Sequence, residues 1–239
     1  MLMAAGLEVP KRIWVHGFVL VAGERVSKSK GGNLKLRDAI AEYGADAFRY
    51  FLLREVPFDG DGNFSWERFE ERYNADLANS LGNLASRTIS MVERYCEGVV
   101  PGGGRNEVDT ADAKDLETYH ASMGPRGFLL HDALKAVWQT ISRGNEYVDR
   151  QAPWKQAKDP AQRAELETTL ATLIRQLARQ AVYSFPFMPR KAAELWQSLG
   201  APGRIEDLTF DRLNALDPTG WKVQKGTPLF PKRDAVTTS

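Results

Sequence analysis

One long amphipathic run, residues 66–95, constrains the fold of this chain more than any other feature. It follows Ser65, a residue type that favours the N-cap position of a helix. Apolar side chains recur along it at three- and four-residue steps, which places them on one face of an α-helix. This stripe consists of Phe69, Tyr73, Leu77, Leu81, Leu84, Thr88, Met91 and Tyr95. A helix of roughly 45 Å with one continuous apolar face must pack against other helices, so a helical bundle is predicted.

The same spacing recurs in the second half of the sequence. Further helical patterns cover residues 111–123, 126–150, 161–183 and 189–199. The Gly-rich stretch 98–109 is predicted to be a loop between helices. The pattern over 126–150 should end near Ala152, because Pro153 disfavours helical geometry in the residue before it. Beyond residue 65 the sequence therefore predicts a mainly helical domain.

The beginning of the sequence has a different pattern. Residues 13–21 are apolar on both alternating faces, as in a strand that is covered on both sides in a parallel α/β sheet. No later run has the pattern of a second such strand with its crossover helix. Two short helices are predicted next, one over 36–42 that stops near Gly44, and one that Asp46 caps and that extends to about Arg54.

Composition limits the classes of partner and compartment. The formal net charge of the 239 residues is only +1, so a nucleic acid would have to meet a local basic patch. The single cysteine, Cys96, cannot form an internal disulfide and fits a reducing compartment. The first residues lack the features of a signal peptide, and no run approaches the ~20 apolar residues that span a membrane. The sequence predicts a soluble cytoplasmic protein with no membrane partner.

A small-residue loop follows the predicted strand. Its serines offer hydroxyl groups, its glycines let the backbone approach an anion closely, and its lysines can neutralise charge on a phosphate. These residues are Ser27, Lys28, Ser29, Lys30, Gly31 and Gly32. His16, on the strand that leads into the loop, either approaches a nucleotide or is a hydrogen-bonded histidine of the core. The loop itself is either a phosphate-handling loop or a solvated turn, since Ser, Gly and Lys are common in turns.

Two later positions have the chemistry for contacting RNA. Asn83 and Arg87 are four residues apart on the long helix and project side by side, where an amide and a planar guanidinium suit an unstacked base. Trp154 follows the predicted helix break and is accompanied by Lys155 and Lys158, so its ring can stack on a base while the lysines meet phosphates. The alternatives are a solvated helix face and a tryptophan that fills the gap between two helix ends.

The run Arg25-Val26-Ser27-Lys28-Ser29 resembles the KMSKS signature of class I aminoacyl-tRNA synthetases, with Arg25 and Val26 where that family usually has Lys and Met. The resemblance implies that residues 25–29 contact ATP, with His16 near the nucleotide, and that Lys28 is catalytic because it stabilises the pyrophosphate. ATP and Mg²⁺ would then be the cofactors of the complete enzyme. Gly32 departs from the family, which commonly has a polar residue there. No cysteine cluster for the family's zinc-bearing insertion is present, so no metal site is expected in this chain.

Three more runs resemble class I synthetases: the first resembles the group for methionine, valine, leucine and isoleucine, and the other two resemble methionyl-tRNA synthetases. They are YGADAFRYFLLR at 43–54, NADLANSLGNLASR at 74–87 and NEYVDRQAPW at 145–154. The first resembles the segment that joins the catalytic domain to the tRNA-binding helices, and the other two resemble the anticodon-binding elements. The resemblance implies that Asn83, Arg87 and Trp154 contact the CAU anticodon of methionine tRNA, the tryptophan by stacking on a base.

The resemblance also implies an architecture. It consists of a remnant of a Rossmann-like α/β catalytic domain with the KMSKS loop (1–34), connecting helices that form the stem-contact region (35–64) and an α-helical anticodon-binding domain (65–233). The final residues, 234–239, are expected to be disordered, as chain ends commonly are. The implied function is that of a methionine-tRNA ligase, which joins methionine to its tRNA with ATP. The family's early HIGH-type histidine pair and methionine pocket are missing from this sequence, so the chain alone is expected to bind tRNA without activating methionine. Two alternatives are a non-catalytic RNA-binding helical protein derived from a synthetase and a class I synthetase for another amino acid.

Overall fold

A computed structural model describes residues 1–11, 13–21, 23–25, 36–57, 60–124 and 127–233 of this chain. Within these ranges, short strands precede a predominantly helical remainder. The strands are β1 (Val19–Val21), β2 (Glu24–Arg25) and β3 (Gly62–Phe64). The helices are α1 (Leu36–Tyr43), α2 (Ala45–Glu55), α3 (Trp66–Arg72), a π-helical segment (Tyr73–Gly82), α4 (Asn83–Cys96), α5 (Glu107–Met123), α6 (Leu130–Gln151), α7 (Pro153–Gln156), α8 (Arg163–Ser184), α9 (Pro189–Ser198) and α10 (Phe210–Asn214). None of the helices described is both long and apolar enough to cross a membrane.

The long predicted helix is confirmed as one uninterrupted helix over residues 66–96. Ser65 caps it, because its hydroxyl oxygen accepts a hydrogen bond from the Arg68 backbone N–H at 3.2 Å. The first six residues of the apolar stripe, from Phe69 to Thr88, are buried, and Met91 and Tyr95 are partly buried. The wider π-helical turn over Tyr73–Gly82 was not predicted, since three- and four-residue spacing does not distinguish it from an α-helix.

Helix α8 occupies the centre of the bundle. It packs against α4, α5, α6, α7 and α9, so every residue from 169 to 184 is buried. The apolar positions Leu166, Leu170, Leu173 and Leu177 indicate only one inner face of this helix. Its other faces carry polar side chains that the neighbouring helices also cover, which makes the centre of this domain unusually rich in hydrogen-bonding groups.

Helix α5 begins earlier than the sequence pattern suggested, so the predicted loop over 98–109 is too long. Asn106 and Asp109 form a capping box: the Asn106 side chain accepts from Val108 N–H at 3.0 Å, and Asp109 accepts from Asn106 N–H at 3.1 Å. This box fixes the first helical residue at Glu107. The Asn106 amide also donates to the side chains of Tyr147 and Thr172, which anchors the start of α5 to α6 and α8.

The strand prediction for residues 13–21 is wrong in its length. Only Val19–Val21 forms a strand, whereas Ile13 and Val15 are 79% and 78% exposed. The prediction that no second strand follows is also wrong, because β1 pairs in parallel with β3 in the register Val19–Gly62 and Val21–Phe64, and antiparallel with β2. The turn-like composition around β3 concealed this short strand. The pairing joins the segment 35–64 to residues 1–34 through one small sheet.

Helix α2 is fastened to the turn between α8 and α9 by two side chains. The Asp46 carboxylate is buried and accepts a hydrogen bond from the Lys191 N–H, in the first turn of α9, at 2.7 Å. The prediction that Asp46 caps its own helix is therefore wrong: it lies inside α2 and caps α9 instead. One turn further on, the Arg49 guanidinium donates to the carbonyl oxygens of Phe187 and Pro186, both at 3.0 Å, beyond the end of α8.

Candidate nucleic-acid interface

The break between α6 and α7 presents Trp154 at the surface. Ala152 ends α6 with φ = +45°, a left-handed backbone conformation, and Pro153 starts α7. Pro153 and Gln156 are buried against the bundle, which packs α7 onto α8. Trp154 lies between them in sequence and is 37% exposed, with exposed Lys155 beside it. One face of α7 is therefore buried, while the indole of Trp154 and the ammonium group of Lys155 remain accessible.

Arg87 approaches Trp154 from the long helix. Its guanidinium carbon lies 5.6 Å from the centroid of the indole ring, within the range of a cation–π contact. The same guanidinium forms an ion pair with Asp149 on α6, with Nη2 and Oδ1 2.9 Å apart. Asn83 is exposed one helical turn before Arg87. The structure thus brings Arg87 and Trp154 into contact, and Asn83 lies on the adjacent turn of the same helix. We call Asn83, Arg87, Asp149 and Trp154 the surface patch.

Close packing of α6 against the long helix sets the geometry of the surface patch. The helices approach closely at Gly144, since a Cβ atom there would lie 2.7 Å from Leu84 Cδ2 on the long helix and 2.4 Å from Gln176 Oε1 on α8. The next residue, Asn145, donates its amide to the Ser80 carbonyl oxygen at 3.4 Å and to that of Ile141 at 3.1 Å. These contacts hold Asp149, on the next turn of α6, beside Arg87.

Asp149 is a member of the patch that the sequence did not single out. It is separated from Arg87 by 62 positions, and the helix break lies between it and Trp154. The pairing of α6 with α4 could not be derived from the spacing within either helix. An exposed ion pair of this kind contributes little to stability, about 0–1 kcal/mol, but it orients the guanidinium. Nearby Arg150 is exposed and pairs with Glu107 at 2.9 Å, whereas exposed Lys155 and Lys158 have no carboxylate of the described residues within ion-pair distance.

The other predicted site lies at the opposite end of the sequence. Val26, Ser27, Lys28 and Ser29 are outside the residues described, and Arg25 is described only as part of β2. His16 is exposed, so its interpretation as a core histidine is wrong. Its Nδ1–H donates to the Gly17 carbonyl oxygen at 2.7 Å, and the ring lines a cavity of about 280 Å³ with Val19, Leu52 and Phe128. Among the residues described, no three His, Cys, Asp or Glu side chains are grouped as metal ligands would be.

Comparison with known protein families assigns both parts of the chain. Residues 1–89 match the model of class I tRNA synthetases (M), and residues 102–235, more than half of the chain, match the anticodon-binding domain of methionyl-tRNA ligase. The chain belongs to the methionyl-tRNA ligase family. This confirms the resemblance drawn from the sequence, and it argues against a class I synthetase for another amino acid.

Relatives in the methionyl-tRNA ligase family match almost all of this chain. The methionine-tRNA ligase of Caldanaerobacter subterraneus subsp. tengcongensis is 41% identical in an alignment of 241 positions, which covers 98% of this chain and 37% of the relative. That of Bacillus subtilis is 40% identical in an alignment of 245 positions, which covers 98% of this chain and 36% of the relative. The chain therefore spans little more than a third of the length of these curated relatives.

Solved structures of the family share the fold. Methionyl-tRNA synthetase of Mycobacterium tuberculosis in complex with methionyl-adenylate has a TM-score of 0.86 and 35% identity, covering 96% of this chain and 46% of that one. The free form of the same enzyme has a TM-score of 0.82 and 33% identity, covering 98% and 46%. The mainly helical fold predicted from the sequence is confirmed by this similarity.

Proposed function

We propose that this chain provides the anticodon-reading surface and the KMSKS loop of a methionine-tRNA ligase that acts in the cytoplasm. The observation that carries the proposal is the contact between Arg87 and Trp154. These side chains are 67 positions apart in sequence, and each is predicted from its own chemistry to contact RNA. The partner is methionine tRNA with its CAU anticodon. The reaction would join methionine to that tRNA with ATP and Mg²⁺.

Each side chain of the patch has a separate role in this proposal. Trp154 offers an indole face for one anticodon base, an interaction that contributes about 1–3 kcal/mol. The planar guanidinium of Arg87 donates hydrogen bonds to base edges. Its ion pair with Asp149 orients the guanidinium plane before RNA binds. Asn83 offers both a donor and an acceptor on the neighbouring turn. Lys155 and Lys158 meet the phosphates of the anticodon loop.

The adenylation part of the proposal depends on the sequence motif and on the family. Lys28 would stabilise the pyrophosphate that leaves when methionine is activated, and Arg25, Val26, Ser27 and Ser29 would line the ATP site with His16 nearby. ATP would supply the adenylyl group: the methionine carboxylate would attack its α-phosphorus, pyrophosphate would leave, and Mg²⁺ would neutralise the phosphates. A cationic loop at this place acts by balancing charge that develops during the transfer.

The anticodon proposal is tested by binding RNA stem-loops to the full chain. We expect Trp154→Ala to lower affinity for a CAU stem-loop by about 5- to 150-fold, the equivalent of one lost stacking contact. The loss for a stem-loop of the same stem and another anticodon should be much smaller. Fluorescence anisotropy measures both affinities, and circular dichroism checks that the helices are retained.

The chain offers a matched control for this experiment. Trp14 is 38% exposed, almost the same as Trp154, and lies near the other end of the sequence. Trp14→Ala should leave both stem-loop affinities unchanged. Equal losses on the two stem-loops after Trp154→Ala would contradict anticodon reading and reduce the tryptophan to general RNA contact or packing.

A further inference from the structure

A polar groove of about 490 Å³ lies next to the surface patch on the same side of α6. One side of α6 carries exposed Lys135, Gln139, Ser142 and Glu146 along it at three- and four-residue intervals. The next step on that face is Asp149 of the surface patch. Lys135 and Asp149 are separated by roughly 21 Å along the helix, so the groove and the patch form one continuous track. The opposite walls come from α2, the π segment and α5.

Most acidic groups in the groove are already neutralised. Asp76 accepts hydrogen bonds from Tyr50 at 2.8 Å and from Arg72 at 3.3 Å. Asp115 is paired with Arg143, whose other nitrogen binds Asp112. Glu146, at the end of the groove nearest the patch, is the acidic wall residue for which the described part of the chain shows no cationic partner.

Two cations of the groove are left available. Lys135 is exposed at its rim, and no carboxylate of the residues described lies within ion-pair distance of it. The Nε of Arg54, on α2, is buried and finds no hydrogen-bond partner among the described groups. A buried donor without a partner costs about 1–3 kcal/mol, so such groups usually have a ligand or water in the working molecule. The two cations suit an anionic ligand.

The floor of the groove is unsuited to stacking a base. Trp138 is only 7% exposed, and its ring packs against Tyr50 with centroids 4.4 Å apart. Its indole N–H donates to the Asp76 carbonyl oxygen at 3.4 Å. With the aromatic ring covered, the groups left for a ligand are the two cations and the neutral side chains of Gln139 and Ser142. Such groups bind phosphate oxygens and ribose hydroxyls, and they do not distinguish bases.

We infer that this groove binds the ribose-phosphate backbone of the RNA strand that flanks the nucleotides read at the surface patch. Lys135 and Arg54 contact phosphates, and Gln139 and Ser142 contact ribose hydroxyls. The inference rests on the proposed function, since it places the same RNA on an extension of the same site. Its contribution to affinity is independent of the anticodon sequence.

The test is the salt dependence of stem-loop binding by the full chain. Lys135→Ala should weaken the CAU stem-loop and the other stem-loop by the same factor, and should reduce the slope of log affinity against log salt concentration by about 1, the effect of one lost phosphate contact. Glu146→Gln should strengthen both complexes, because it removes an unpaired negative charge from the track. The control is Lys222→Ala, which removes an exposed lysine that lines neither the groove nor the patch.

The outcomes separate the two proposals. If Lys135→Ala left the salt slope unchanged and the preference for CAU were intact, backbone binding in the groove would be contradicted and anticodon reading would still be supported. A reduced slope without any CAU preference in the parent chain would overturn anticodon reading and support the groove as an RNA surface. Absence of RNA binding by the parent chain would overturn both.

Discussion

Asp109 is a buried carboxylate that contacts two arginines of α8. It accepts from the Arg175 guanidinium at 2.8 and 2.9 Å and lies 2.8 Å from Arg179 Nη1, and all three side chains are buried. Burial alone would raise the pKa of this carboxyl, but the hydrogen bonds from Arg175 and from the Asn106 N–H, together with both positive charges, hold it below its usual value. One side chain therefore caps α5 and neutralises two cations of α8.

Asp109→Asn should destabilise the chain by about 3–5 kcal/mol at pH 7, because it leaves buried arginines without their counter-charge. The lowered pKa means that the ionised carboxylate stabilises the folded chain above about pH 4, and that this stabilisation is lost as the pH falls through the folded-state pKa. The difference in the free energy of unfolding between the parent and the variant should therefore become smaller below about pH 4. Urea unfolding at pH 7 and pH 3 measures it.

The comparison with the parent isolates Asp109 from other titrating groups. Asp112, whose pKa burial raises to about 6 against the hydrogen bonds of Gln176 and Arg143, is present in both proteins. Exposed Asp207→Asn serves as the control and should change stability little at either pH. If Asp109→Asn lowered the free energy of unfolding by the same amount at pH 7 and pH 3, the ion pairs of Asp109 would not be the source of the stability.

At the scale of elements, the approach of α6 to α4 and α8 determines both packing and site geometry. Gly144→Ala should destabilise by about 1–3 kcal/mol, because the added methyl group would crowd Leu84 and Gln176, both buried. This crowding outweighs the gain of about 1 kcal/mol in helix propensity. The displaced helix should also separate Asp149 from Arg87 and weaken CAU stem-loop binding. Chemical unfolding and anisotropy measure the two effects.

Gly102→Ala is the control for this substitution. The nearest atom to its added Cβ would be Thr219 Cγ2 at 3.8 Å, an ordinary contact, so neither stability nor RNA affinity should fall. If Gly144→Ala proved as stable as the parent, the close approach of the helices would not be the constraint described above.

The elements that could be predicted from the sequence are those with a local cause. The stripe from Phe69 to Tyr95 and the break at Pro153 depend on spacing within one segment, and both were predicted correctly. Strand β3 was missed because three residues of turn-like composition become a strand only by pairing with β1. The polar residues buried on α8, such as Arg175, were missed because their partners lie on other segments of the chain, as Asp109 on α5 does. Asn83, Arg87 and Trp154 were selected by type and resemblance, whereas the contact with Asp149 required the fold.

At the scale of the whole molecule, the connection of α2 to the bundle decides how the sheet is held relative to the surface patch. Asp46 and Arg49 are on adjacent turns of α2, and they bind the start of α9 and the end of α8 respectively. Both are hydrogen bonds that involve an ionised side chain, which contribute about 1.5–3 kcal/mol each. The small sheet is in turn packed against α2 through β3. We therefore regard α2 as the structural joint of the molecule.

The double variant Asp46→Ala/Arg49→Ala should loosen this joint without unfolding the bundle. Amide hydrogen exchange is expected to accelerate in α2 and β3 and to remain slow in α4, α6 and α8. Affinity for the isolated CAU stem-loop should be unchanged, since the surface patch lies on the bundle. Exposed Arg37→Ala is the control for loss of a surface arginine. Uniformly faster exchange throughout the bundle would mean that α2 is part of one cooperative unit and not a separable joint.

The position of Arg87 over the indole of Trp154 limits how many nucleotides that ring can hold. An aromatic ring has two faces, and the guanidinium takes up one of them. At most one face remains for a nucleobase, so the tryptophan cannot intercalate between two neighbouring bases. In the proposed complex with RNA, a single base would stack on the remaining face of Trp154.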